Sequence, residues 1–348
     1  MGLHRLSSAE IDTCIGGVNP EAAIEGIHRR RRQRLAGAAS DANRKTAVIL
    51  QGGAMRGVIS AGAMIPMEAL GFTEGFDAVY GSSAGALNGA YFLANQAAFG
   101  ASVYYRDVAN RRFINFLRPR KVLDMDFVFD DVVGGRSRVD VTRVRSNRTP
   151  LHMIVTDART GEEAVHSSHD PGIDLLTALK ASAAVPILYD RTVALDGSRY
   201  LDGSLVNPVP IERAIRDGCT DILVVLTLPR SYRARPPGVL ERRIVRRWVH
   251  PANPALAEAW YRRHEAANRA LQLIDSRAPR DPAGPVNIVA VFPDPSRTVG
   301  AFTIDARRLK RAALDAAWRM MRLFSDAPSR PAELIHFVSG EMGFDTGL

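Results

Sequence analysis

The sequence predicts an α/β protein built on a mostly parallel central sheet. Three observations carry that expectation. From Lys45 onward, short apolar runs alternate with helical patterns, as in sheets covered on both faces. Two glycine-rich turns, "QGGAMRG" at 51–57 and "YGSSAG" at 80–85, each follow an apolar run and open a helical stretch. The chain has 348 residues, 46% of them hydrophobic, enough to bury one large core or two modest ones.

The elements follow in order. Residues 1–44 are polar, contain the run "HRRRRQR" at 28–34, and read as an irregular N-terminal extension. Strands are expected at 46–51, 77–80, 151–156, 221–227 and 286–292, where apolar and β-branched residues cluster. Helices are expected at about 57–70, 84–98, 173–183 and 210–217, with Gly71 and Gly218 placed to end two of them. Pro66 should kink or shorten the first, because it removes a backbone donor. The stretch 229–254 is basic and proline-rich and reads as an inserted loop with a short helix. A last helix is expected at about 304–323, followed by a C-terminal tail at 326–348.

Composition narrows the functional classes. Cys14 and Cys219 are the two cysteines, so neither a disulfide framework nor a thiolate cluster is indicated, and a reducing compartment fits. No basic segment leads into an apolar signal at the N-terminus, and no apolar run reaches the ~20 residues of a membrane span, so a soluble, cytoplasmic protein is expected. The net charge of +9 admits nucleic acid, anionic membrane or acidic substrates as partners. Nucleic acid is disfavoured, because the basic runs lack interleaved aromatic side chains for base stacking.

Chemistry concentrates in the turns. In "GSSAG", Ser83 would sit on a sharp strand-to-helix turn, flanked by Gly81 and Gly85, as a nucleophile elbow does. The earlier turn, Gly52-Gly53-Ala54-Met55-Arg56-Gly57, would direct backbone N–H groups into one space at a helix start. Taken alone it fits a dinucleotide-phosphate site, an oxyanion hole or an ordinary tight connection. The dinucleotide pattern fits worst, because Ala54 breaks it and no acid ends the next strand. In a parallel sheet both turns lie at the carboxyl edge and would face one crevice. The segment "VALDGSRYLDGSLVNPVP" at 193–210 then offers two Asp-Gly pairs. Asp196-Gly197 suits a hairpin turn, whereas Asp202-Gly203 comes at a strand exit with less structural work to do.

Together these motifs resemble the patatin-like phospholipases, a family of lipid acyl hydrolases. The likeness rests on "GGAMRG", "GSSAG", "ASAAVPILY" at 181–189 and "DGSLVNPVP" at 202–210, in that order, and extends into "YRRHEAANRALQLI" and "VNIVAVFPD". It implies a three-layer α/β/α fold over residues 45–325, with the insertion at about 229–254. It further implies that Ser83 attacks an ester carbonyl, that Asp202 accepts its proton, and that the N–H groups of Gly53, Ala54 and Met55 hold the oxyanion, through an acyl-enzyme. Arg56 would orient that loop, attract a lipid phosphate, or stand as an ordinary solvated residue at the helix start. Two positions depart from the family: Ala54, where a third glycine is usual, and Ser204, where Gly or Ala usually follows Asp-Gly.

No histidine completes a triad on sequence grounds. His250, His264 and His336 follow Asp202 but lack a strand-end context. His152, His166 and His169 have neither the spacing nor the carboxylate company of a metal site, so neither metal nor cofactor is expected. Acyl lipid is the expected partner; Arg230, Arg233, Arg235, Arg242, Arg243, Arg246, Arg247 and Trp248 read either as a solvated basic loop reflecting the arginine-rich composition or as a peripheral contact on the inner face of an anionic membrane. The alternative is an inactive lipid-binding or scaffold protein with the same fold.

Overall fold

A computed structural model describes the chain except residues 1, 2, 4, 5, 40, 119, 120, 250–252, 276–279, 282, 283 and 326–348. His250, His336 and the C-terminal tail therefore lie outside the described residues, as does the side chain of Trp248. Eleven strands are described: β1 Ile15–Gly16, β2 Thr46–Leu50, β3 Ala78–Ser82, β4 Leu151–Asp157, β5 Glu163–Ser167, β6 Val193–Leu195, β7 Ser198–Asp202, β8 Asp221–Val225, β9 Arg280–Asp281, β10 Gly284–Pro285 and β11 Asn287–Val291. The α-helices are α1 Ser8–Cys14, α2 Pro20–Leu35, α3 Gly57–Ala69, α4 Ala84–Leu93, α5 Ala97–Arg106, α6 Val141–Ser146, α7 Leu175–Ser182, α8 Ile211–Arg216, α9 Val239–Trp248, α10 Pro254–Asp275 and α11 Ala306–Phe324.

Nine strands form the central sheet in the order β1-β11-β8-β2-β3-β4-β7-β6, with β5 also on β4. Its middle, β11-β8-β2-β3-β4, is parallel. The flanking pairs β1-β11, β4-β5, β4-β7 and β6-β7 are antiparallel.

Alternate residues of the parallel strands belong to two different cores. Val48, Leu50, Val79, Leu223 and Val225 face the large core, shared with helices that include α2, α3 and α11. Ala47, Ile49, Ala78, Tyr80, Ile222 and Val224 face the second, beneath α8 and α10. Covering on both faces is what turns each parallel strand into a continuous apolar run. The result is the expected three-layer α/β/α arrangement.

Several local expectations are corrected. Residues 8–35, read as irregular, form α1, β1 and α2: β1 pairs with the edge strand β11, and Ala23, Ile24 and Ile27 are fully buried. The arginine run is not a solvated tail either. Arg30 and Arg34 both pair with Asp77 at the foot of β3. The helix expected at 84–98 stops at Leu93, and Asn95 takes a left-handed conformation (φ 56°) before α5 begins. Pro66 lies inside α3, three residues before its end, without ending it. Gly71 and Gly218 do take positive φ after α3 and α8, and Asp196-Gly197 turns the β6–β7 hairpin with both residues at positive φ, the type I′ pattern.

Candidate active site

The register of β4 brings Ser83 and Asp202 together. Ser82 at the end of β3 pairs with Ile154, and Asp202 at the end of β7 pairs with Val155. Since β5 pairs with these same two β4 residues, it must occupy the opposite edge, so β3 and β7 meet end to end along one edge of β4. Their terminal side chains converge at the carboxyl end of the parallel sheet, where open α/β sheets hold ligands.

Ser83 adopts φ 57°, ψ −132°, a strained conformation for a residue with a Cβ, and leads into α4. Its N–H donates to Ser182 Oγ at 3.0 Å, and that hydroxyl donates to the Ile154 carbonyl at 2.6 Å. Ser182 lies in the "ASAAVPILY" stretch and gained no role from sequence reasoning. It ties the elbow to β4. Ser82 Oγ donates to the Asn207 carbonyl at 2.6 Å, fixing the elbow to the loop after Asp202 as well.

The glycines of the elbow are close-approach positions. A Cβ on Gly85 would lie 2.0 Å from the Leu50 carbonyl oxygen, and one on Gly52 would lie 2.5 Å from that of Ser82. The two glycine-rich turns are therefore pressed backbone to backbone. Gly81, Gly57 and Gly203 are likewise too crowded for a Cβ, Gly203 by the Ile154 carbonyl at 2.1 Å.

The Gly52–Gly57 loop departs from expectation in two ways. Met55 N–H is not available to a ligand, because it donates to the Ala301 carbonyl at 3.1 Å. That leaves Gly53 and Ala54 as the candidate oxyanion donors. Ala54 itself sits at φ 51°, so the alanine that replaces a glycine occupies a left-handed conformation where glycine would be unstrained. Arg56 folds back over the loop: a Cβ on Gly53 would be 3.0 Å from Arg56 Nε, which is buried without a hydrogen-bond partner. Arg56 makes no ion pair among the described residues, and burial lowers its pKa.

Asp202 is almost fully buried. Its Oδ1 accepts from Ser204 N–H at 2.7 Å and from the Ser204 hydroxyl. The Ser83 hydroxyl also stands beside the carboxylate and favours its charged form. No closed hydrogen bond joins the two, however, since Oδ2 is buried without a partner. Catalytic contacts are often loose before substrate binds. Burial dominates these hydrogen bonds and pushes the carboxyl pKa upward. Ser204, apparently an incidental departure in sequence, is thus the main hydrogen-bond donor to this carboxylate. No described histidine bonds to Ser83 or Asp202: His152 stacks on Tyr80, His166 packs edge-on against Tyr200, and His264 bonds the Tyr261 carbonyl.

A cavity opens over Ser83. Its walls are almost entirely apolar, formed by Leu87, Val103, Phe113, Leu123, Val128 and Phe129 among others, with Ala54, Met55 and Ser83 at the reactive end. Most of these wall residues come from the stretch 99–150, which carries α5, a π-helical segment at Phe127–Arg136, and α6.

The patatin-like phospholipase family model matches residues 48–215, spanning both glycine-rich turns and the Asp-Gly motif. Over residues 48–215 the chain is similar to the patatin-like phospholipases. The uncharacterized protein YjjU of Escherichia coli (strain K12) is 25% identical over 252 residues, which cover 72% of this chain and 68% of that protein. Among solved structures, VipD from Legionella pneumophila aligns over 82% of this chain and 67% of its own, with 12% identity and a TM-score of 0.39. The match begins within β2 and ends within α8, so the matched stretch takes in the oxyanion-loop candidates, the elbow and Asp202, while β8, β11 and α11 follow it in the chain.

Proposed function

We propose that this protein is a serine lipid acyl hydrolase acting through a Ser83–Asp202 dyad. Ser83 attacks the carbonyl carbon of an acyl ester while Asp202 Oδ2 takes the hydroxyl proton. The N–H groups of Gly53 and Ala54 receive the developing oxyanion, and the proton passes from Asp202 to the departing alkoxide. Water then repeats the sequence on the acyl-enzyme and releases the fatty acid. A raised carboxyl pKa suits this role, because an aspartate at its ordinary ~3.9 is a feeble base near neutrality. Arg56 braces the Gly53 backbone and brings positive charge to the mouth of the oxyanion loop. Acyl lipid is the substrate class, since the cavity at Ser83 offers an apolar chain almost entirely apolar walls.

The observation that carries the reading is the buried, unpartnered Oδ2 of Asp202 beside the hydroxyl of a strained Ser83, at the end of an apolar cavity. Reaction with a fluorophosphonate probe is the test. Covalent labelling of the wild type, absent in Ser83→Ala, is expected; a folded wild type that takes no label would leave an inactive lipid-binding scaffold.

A further inference from the structure

Two loops carry large apolar side chains out into solvent next to the cavity. In the first, Asn115 N–H donates to the Val122 carbonyl and Asp124 N–H to the Phe113 carbonyl, so the chain forms a narrow arm whose base residues, Phe113 and Leu123, line the cavity. Further out on that arm, Phe116 is 64% exposed and Leu117 89%. The second loop, residues 300–304, accepts the Met55 N–H through Ala301 and so is bonded to the oxyanion-loop candidate. It exposes Phe302 and Ile304, each 39% accessible. The loops touch: the Phe116 and Phe302 rings pack edge to face with centroids 5.2 Å apart.

We propose that Phe116, Leu117, Phe302 and Ile304 form a docking surface that inserts into an anionic lipid surface. Water strongly disfavours such a cluster on a monomer surface, and clustered exposure marks a site of interaction. Continuity selects lipid over a protein groove as the occupant. The arm that bears the exposed pair also forms the wall of the apolar cavity, so an acyl chain leaving a bilayer there reaches Ser83 without crossing water. Charge points the same way. Arg297 and Val299, just before the second loop, line one groove with Arg308 and Arg311 of α11, and none of these arginines makes an ion pair among the described residues. They would sit at headgroup level with the apolar tips below them.

Part of the basic segment singled out from sequence is committed to the fold. Arg230 bonds the carbonyls of Asp12 and Ile15, and both Arg230 and Arg233 pair with Asp275, so these two are committed to the fold. Arg242 is bonded to the Pro237 carbonyl.

The inference rests on the lipid-hydrolase reading for its purpose, but its test does not need turnover. Ser83→Ala protein, which leaves vesicle lipid intact, is co-sedimented with vesicles of equal parts phosphatidylcholine and phosphatidylglycerol, and with phosphatidylcholine alone, at low and high salt. Binding to the mixed vesicles is expected, with Leu117→Ser and Leu117→Asp each weakening it by about tenfold or more, given the worth of one buried leucine. Leu117 contributes almost nothing to the core, so both variants should melt as the parent does, and with Ser83 restored they should turn over a short soluble ester normally. Parent-like vesicle binding by both Leu117 variants would overturn the proposal. So would loss of binding only on replacing Arg242, Arg243, Arg246 and Arg247 by Gln, or concentration-dependent self-association that Leu117→Asp abolishes, which would make the surface a contact between copies of this chain. If vesicles bind as expected but the wild type hydrolyses no ester, the catalytic reading fails and the docking surface stands.

Discussion

Replacing Asp202 with asparagine should abolish activity and stabilise the protein at the same time. Asparagine preserves shape, and as a cap for Ser204 N–H it equals aspartate. Loss of the general base should lower turnover by ~10²–10⁴-fold, the range for a positioned proton acceptor. Stability moves the other way because the wild-type carboxylate is buried with Oδ2 unpartnered. An unsatisfied buried polar group costs about 1–3 kcal/mol and more when charged, so a neutral amide should recover about 1 kcal/mol at pH 7. For a chain of this size that is a rise in Tm of roughly 1–2 °C. The sign with pH follows from burial raising the carboxyl pKa in the folded state. Between the unfolded value near 3.9 and the higher folded value, the native state holds more protons, so wild-type stability falls as pH rises. The Tm difference between variant and wild type should therefore be small near pH 4, grow as pH rises, and then level off. Differential scanning calorimetry from pH 4 to 8 with matched ester assays measures both effects. A variant that melts lower than wild type by the same margin at every pH would show that Asp202 carries no unpartnered charge, and the argument for it as a base would fall.

Four further outcomes are expected. Ser204→Ala removes a hydroxyl donor that favours the ionised Asp202, so the acidic limb of the pH–kcat/KM profile should move to higher pH; an unmoved limb would detach that limb from Asp202. Gly85→Ala would place a Cβ 2.0 Å from the Leu50 carbonyl oxygen, a backbone atom that no rotamer change relieves, so the loss should exceed the ~1–3 kcal/mol of ordinary overpacking and show as a large fall in Tm. Ala54→Gly relieves a left-handed alanine worth about 1–2 kcal/mol but adds unfolded-state entropy of about 0.5–1, so Tm should hold or rise by a degree or two with esterase activity retained. A chain beginning at Lys45 would lose fully buried Ile24 and Ile27, about 1.5–3 kcal/mol each, and strip Asp77 of two arginine partners at a further 3–5, which together match a whole domain's stability. It should be recovered only as insoluble protein.

The parts of the molecule legible in the sequence are those whose signal is local. Parallel strands buried on both faces read as short apolar runs, and the elbow, the oxyanion-loop candidate and the Asp-Gly turns announce themselves through glycine. Helix α2 escaped because its buried apolar side chains are only Ala23, Ile24 and Ile27, amid arginines whose role depends on Asp77, more than 40 residues away. Asn19 before Pro20, with Ile24 and Ile27 three apart, was the signal available for it. The occupied Met55 N–H could not have been foreseen, since its acceptor Ala301 is distant in sequence and sits in a loop without a motif. The role of Ser204 was hidden for another reason. A small residue replacing a smaller one looks neutral until its hydroxyl is seen on the carboxylate.

The pairing of β1 with β11 also constrains how the chain is made. Ile15 lies opposite Val291, so β1 finds its neighbour only after about 276 further residues have been made. At 5–20 residues per second the wait is on the order of 15–60 s. Through that time the part of α2 that packs on β8 and β11, with the open edge of the nascent sheet, lacks native cover, although the 72–75 turn can already pack on Ile27, so the protein should depend on holding chaperones during synthesis more than a fold with neighbouring strands adjacent in sequence would.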